Sequence, residues 1–135
     1  MKTNLFFFNF LLLTFLMFNL TSCESKKSDN PLLDTQWKGL AKIPHEAEID
    51  LKFSKDKIDV LLDNKVIETM NYTLSNGEIN IVKNSGGTPC NVGAKGKYKC
   101  DVIGENLVMT HISDECTDRV KSLQGIVYKK IEVKK

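Results

Sequence analysis

Four cysteines, two histidines and a single arginine are the residues through which this 135-residue chain could do sharp chemistry. Cys23 follows Leu20-Thr21-Ser22, a thiol nucleophile behind two small residues. Cys90, Cys100 and Cys116 remain, so at most one bridge forms within a monomer. Cys90 and Cys116 both fall in turn-like context and are the favoured pair, closing a loop of about 25 residues and contributing ~3 kcal/mol in the chain-entropy model. Cys90–Cys100 is the rival pair, although Cys100 sits mid-strand on an apolar face and reads as a buried small hydrophobe. No C-x-x-C occurs, which argues against a thioredoxin-like site or a zinc ribbon. His45 and His111 carry no ligand-type spacing, so no metal site is expected. Glu46, Glu48 and Asp50 share one strand face and could do acid–base work, but more simply form its solvent side. Lys95, Lys97 and Lys99 make a similar basic stripe, a solvated face whose other use would be contact with lipid headgroups or an acidic partner. Gly86-Gly87-Thr88-Pro89-Cys90 fails the P-loop spacing, and G-x-S-x-G is absent. The expectation is a non-enzymatic protein with no catalytic residue, metal or cofactor.

Nineteen basic against seventeen acidic groups give a net charge of +2, with no sign of a nucleic-acid partner. The length allows one ordinary domain. Composition shifts sharply after residue 22: the first 22 residues hold six of the seven Phe and a single charge, Lys2. Leu5 to Leu20 is an apolar run broken only by Asn9, Thr14 and Asn19. As a helix it would span roughly 24 Å, short of a membrane span and right for the apolar region of a signal peptide. Followed by Leu20-Thr21-Ser22-Cys23, it resembles the leader and lipobox of bacterial lipoproteins. The resemblance implies that Cys23 is lipidated with acyl chains (palmitate and the like) and becomes the first mature residue. Each acyl CH₂ buried in a bilayer contributes about 0.8 kcal/mol. Residues 1–22 are then the signal peptide, 23–31 the lipidated cysteine and a flexible tether, and 32–135 the globular domain. An Asp directly after the lipidated cysteine resembles an inner-membrane retention signal. Glu24 stands there instead, so the outer membrane of the cell envelope is preferred, with the leaflet, periplasmic or surface-facing, left open.

From Leu32 onward short alternating runs are punctuated by turn residues every eight to twelve positions, the pattern of a sandwich or barrel. Expected strands are Thr35 to Ile43, Ala47 to Ser54, a run around Ile58, Val60 and Leu62, Val66 to Leu74, Glu78 to Lys83, Gly96 to Ile103, Leu107 to Ser113, and about Gln124 to Val133. Asn76-Gly77 is a hairpin turn. Asn84 to Lys95 is a loop, and Asp114 to Leu123 a short helical turn before the last strand. Eight antiparallel strands closed in sequence order make an all-β up-and-down barrel, whose interior is filled by side chains or holds one small ligand.

Cys90, Gly96-Lys97-Tyr98, Gly104-Glu105-Asn106-Leu107, Asp114-Glu115-Cys116-Thr117-Asp118-Arg119, Leu123 and Tyr128 together resemble the C-terminal signature of small bacterial lipocalin-like proteins. Cys90-Asn91 with Gly96-Lys97-Tyr98 is more loosely similar to META-type domains of heat-shock lipoproteins. The first resemblance implies a calycin-type eight-stranded barrel, with Arg119 stacked over the first-strand Trp37 to close one mouth. It also implies a small apolar ligand inside, with Ile49, Leu51, Ile58, Val60, Met70, Tyr72, Ile79, Ile81 and Met109 as candidate lining. The alternative is a filled scaffold that binds or inhibits a protein partner through loops such as Asn84 to Lys95. In either case the protein is expected to be a monomer held at the membrane by its lipid. The size of the interior cavity separates the two: several hundred cubic ångströms would suit a ligand.

Overall fold

The structure, a computed structural model, describes residues 30–42, 45–87 and 89–132. The leader, Cys23 and most of the tether therefore lie outside the described residues, as do Ile43, Pro44, Thr88 and Val133. Eight strands follow one another: β1 (Gln36–Ala41), β2 (Ala47–Phe53), β3 (Lys57–Leu62), β4 (Lys65–Ser75), β5 (Glu78–Gly86), β6 (Lys95–Ile103), β7 (Asn106–Asp114) and β8 (Val127–Ile131). One helix, α1 (Thr117–Leu123), precedes β8. Each strand pairs antiparallel with the next, and β8 returns to β1 through Gln36↔Ile131, Trp37↔Lys130 and Lys38↔Lys129, so the sheet is a closed up-and-down barrel. The expected fold class holds, helix included. Closure gives every strand a partner on both sides, with β8 covering Asn106–Val108 of β7.

The faces follow the period-two pattern. Leu51 and Phe53 on β2, Ile58 on β3, Met70 and Tyr72 on β4, and Ile79 and Ile81 on β5 all point inward and are buried. The inward register does not slip, and three bulges absorb the irregularity: at Val60/Leu61, Thr69/Met70 and Lys97/Tyr98. β5 runs three residues past its expected end at Lys83 because Gly86 and Ser85 still pair with Glu68 and Thr69 across the second bulge. Asp50, expected on the solvent face, is 9% exposed, held by Gln36 Nε2 at 2.8 Å and Lys38 Nζ at 3.8 Å. Its two acidic neighbours on that face stay outside the core.

Turn chemistry sets the hairpins. Asn76 (φ 52°) and Gly77 (φ 73°) both take the left-handed region, the demand of a type I′ turn. Asp63 and Asn64 do the same between β3 and β4 with φ of 50° and 62°, where Asn and Asp pay less than other side chains.

The barrel has two unlike ends. The connections β1–β2, β3–β4, β5–β6 and β7–β8, with α1, lie at one, here the helix end. The connections β2–β3, β4–β5 and β6–β7 lie at the other, where the chain enters. At this entry end Leu32 is fully buried, and Asn30, expected in the tether, is already fixed: its Nδ2 donates to Tyr72 Oη at 2.9 Å. Thr35 Oγ1 donates to the Leu32 carbonyl and accepts from Trp37 Nε1 at 2.7 Å. Tyr72 Oη in turn donates to the Ser54 carbonyl at 2.9 Å, and its ring meets Phe53 edge-on at 5.4 Å. The entering segment thus plugs this end.

Gly39 is the closest backbone approach across the β1–β8 seam. A Cβ there would sit 2.7 Å from Tyr128 Cε1, so only glycine lets that ring lie against β1. Gly39→Ala should cost about 1–3 kcal/mol by overpacking. Gly87→Ala, which would meet nothing within 4 Å, should stay within about 0.5 kcal/mol of the parent. Urea midpoints of the two variants at unchanged m-value check the contrast.

Candidate functional site

Three of the five buried polar or charged residues among the described residues, Glu68, Lys83 and Arg119, gather at the helix end. Asp114 closes β7 and its side chain is 0% exposed. It accepts from Arg119 Nε at 2.7 Å and Arg119 Nη2 at 2.8 Å, a bidentate pair, from the Cys116 backbone N–H at 2.7 Å, and from Tyr98 Oη in a short bond. Arg119 Nη2 also donates to the Ala94 carbonyl at 3.1 Å. One carboxylate therefore ties together β6, β7, α1 and the loop before β6. Gly96 is part of the same cradle, since a Cβ there would collide with the Asp114 carboxyl. Burial alone would push the Arg119 guanidinium down, but the Asp114 carboxylate outweighs it, and the net direction is up. Tyr98 is pushed well above the usual phenol range by burial first and by its bond to Asp114 second.

A second buried pair sits nearby. Lys83 follows Ile79 and Ile81 on the inward face of β5, and Glu68 precedes Met70 and Tyr72 on that of β4. Lys83 Nζ donates to the Cys90 carbonyl at 2.6 Å and lies 3.9 Å from Glu68 Oε2. Cys90 and Cys116 form the disulfide, with Cα atoms 5.5 Å apart. The favoured pairing is the one present, and the rival Cys90–Cys100 bridge is not. Cys100 is a buried free thiol, pushed by burial from an ordinary 9.0 up to about 11.

The expected Arg119–Trp37 closure is not what the structure shows. Arg119 is committed to Asp114 and Ala94 at the helix end, whereas Trp37 sits toward the entry end. The cation over the indole is Lys130, its register partner on β8, with Nζ 5.9 Å from the ring centroid. The reason lies in the chain path: α1 caps one mouth and carries Arg119 with it, so the guanidinium meets the nearest buried carboxylate rather than the distant indole.

The interior is filled. Trp37, Tyr98, Tyr128, Phe53, Leu107 and Met109 are among its fully buried side chains. Under α1 remains a cavity of about 90 Å³. Of the candidate lining, Ile49, Leu51, Val60 and Met70 face it, joined by Ala41, Ile67 and Leu123, with Glu68 and Arg119 as polar neighbours. Ile58, Tyr72, Ile79, Ile81 and Met109 do not line it and serve as core. Cavities that hold drug-sized ligands run to roughly 300–1,000 Å³.

The solvent-facing candidates are spent locally. Lys97 pairs with Glu78 at 2.6 Å and Lys99 with Asp101 at 3.0 Å. His111 packs edge-on against Tyr98 at 5.9 Å, and His45 is exposed. No group of acidic, histidine or cysteine side chains able to hold a metal occurs among the described residues. Asp114, Glu68 and Lys83 were not expected as a cluster, although strand parity alone puts Glu68 and Lys83 inside.

The site and fold define a closed eight-stranded antiparallel barrel with a filled interior, stapled and capped at one end. Compared with known proteins, the chain matches no family model, no curated protein and no solved structure.

Two outcomes follow. Asp114→Ala strands a buried guanidinium and should cost about 3–5 kcal/mol, measured by urea denaturation. Tyr72, Tyr98, Tyr128 and Cys100 all have raised values in the folded protein. The unfolded chain therefore sheds these protons first, and stability is complete below the unfolded values and falls as pH rises. The fall should begin near pH 9 and steepen above about pH 10, by up to about 1.4 kcal/mol per pH unit for each group. Tyr128→Phe should flatten it, as read from the melting temperature between pH 7 and 11.

Proposed function

We propose that this chain is a lipid-anchored lipoprotein of the bacterial envelope whose lipocalin-like barrel is a protein-binding scaffold, non-enzymatic and monomeric. The observation that carries the reading is the filled interior. A cavity of about 90 Å³ accepts a group of a few heavy atoms and cannot enclose a lipid chain or a drug-sized ligand. The small apolar ligand expected inside the barrel is therefore not the preferred reading, and the surface becomes the working part.

The helix end suits that work. Of the exposed large apolar side chains among the described residues, Leu40, Val66, Val92 and Ile112 lie at or near it, Val127 lies lower on the wall beside Val108, and Ile103 lies at the entry end. The loop carrying Val92 is held by the Cys90–Cys116 bridge and by Lys83, and α1 by Asp114. Loops fixed in this way lose little entropy when a partner docks. The lipoprotein part of the proposal rests on the leader and on Leu20-Thr21-Ser22-Cys23. Outer-membrane placement rests on Glu24.

Native mass spectrometry of residues 26–135, incubated with a bacterial lipid extract, tests the filled scaffold. The expected spectrum is the bare protein with one disulfide. A retained adduct of a few hundred daltons, lost on denaturation, would restore the ligand-carrying barrel.

A further inference from the structure

We infer that the entry end of the barrel faces the lipid bilayer and that the helix end, with its disulfide-clamped loop, is held away from it. The inference rests on the lipidation of Cys23 proposed above, and the structure adds the geometry. The chain emerges at the entry end, and its point of emergence is fixed. Leu32 is fully buried, the Leu32 backbone N–H donates to Asn30 Oδ1 at 3.0 Å, and Asn30 Nδ2 is bonded to Tyr72.

Seven peptide units separate Cys23 from Asn30. Fully extended they reach about 23–25 Å. The barrel is taller than that reach. β4 runs the whole wall in 11 residues. At a rise of about 3.3 Å per residue and a tilt near 40°, its height is roughly 27 Å. Bringing the helix end to the bilayer would require the tether to lie stretched along the full outer wall. Bringing the entry end there requires nothing of it.

One surface feature agrees. Ile103, 69% exposed, stands at the tip of the β6–β7 hairpin on the entry end, where an apolar side chain can sit among headgroups. The surface contacted is thus a phospholipid headgroup layer. A protein partner meets the opposite end.

The test uses the full-length, lipidated protein reconstituted into phosphatidylethanolamine–phosphatidylglycerol vesicles containing headgroup spin-labelled lipid. A thiol-reactive fluorophore is placed at Ile103→Cys or at Lys65→Cys, an exposed position at the helix end. Cys100 is buried and stays unlabelled. The expected result is quenching at least threefold stronger at position 103 than at position 65. Equal quenching, or stronger quenching at 65, overturns the orientation. The intact mass of the purified protein and vesicle binding by Cys23→Ser separate the two layers. Absence of acyl mass, or undiminished binding of Cys23→Ser, removes the anchor itself. An acylated, bound protein with the wrong quenching pattern removes only the orientation.

Discussion

A sheet of eight strands that closes on itself encloses a space about one layer of large side chains wide, and whatever occupies that layer decides what the barrel can do. Here it is occupied by Trp37, Tyr98 and Tyr128, with Phe53, Leu107 and Met109 among them. The aromatic packing needs the wall to yield in places. Gly39 gives Tyr128 room at the β1–β8 seam, and Gly96 gives the Asp114 carboxyl room at the helix end. Closure, filling and those two glycines are one constraint seen from three sides. Once the interior is full, little space remains inside the barrel for a carried molecule, and the two larger hollows, about 470 Å³ each, are open surface clefts beside the Cys90–Cys116 loop and along β5, β6 and β7.

The two ends are finished by different physics. The entry end is plugged by the chain itself, with Leu32 sealing it and a hydrogen-bond run from Asn30 through Tyr72 to the Ser54 carbonyl. The helix end is finished by buried charge. Asp114 holds Arg119, Tyr98 and the Cys116 N–H, while Lys83 holds the Cys90 carbonyl close to Glu68. Buried pairs of this kind are weak evidence for stability but strong constraints on geometry. They fix α1 and the stapled loop in single positions, which is the property a docking surface needs.

Much of this was legible in the residues. Alternation in Ile49-Leu51-Phe53, Ile58-Val60 and Met70-Tyr72 gave correct inward faces, and Asn76-Gly77 marked its hairpin. The turn-like settings of Cys90 and Cys116 marked their bridge. Two things were not legible. The partner of Arg119 depends on where α1 lies across the mouth, a tertiary fact that local pattern does not carry. The degree of filling depends on how rings from distant strands interdigitate, so a lining read from alternation alone mixes cavity residues such as Met70 with core residues such as Ile79. Parity did place Lys83 and Glu68 inside, but charge suggested the surface, and the stronger signal was parity.

The most direct measurement of the filled interior is a crystal structure of residues 26–135 under xenon pressure, since xenon occupies apolar voids too small or too dry for water to report. Xenon is expected at no more than one place, the cavity beneath α1 beside Met70 and Leu123. A string of xenon sites along the barrel axis between Trp37, Tyr98 and Tyr128, or lipid density there, would contradict it.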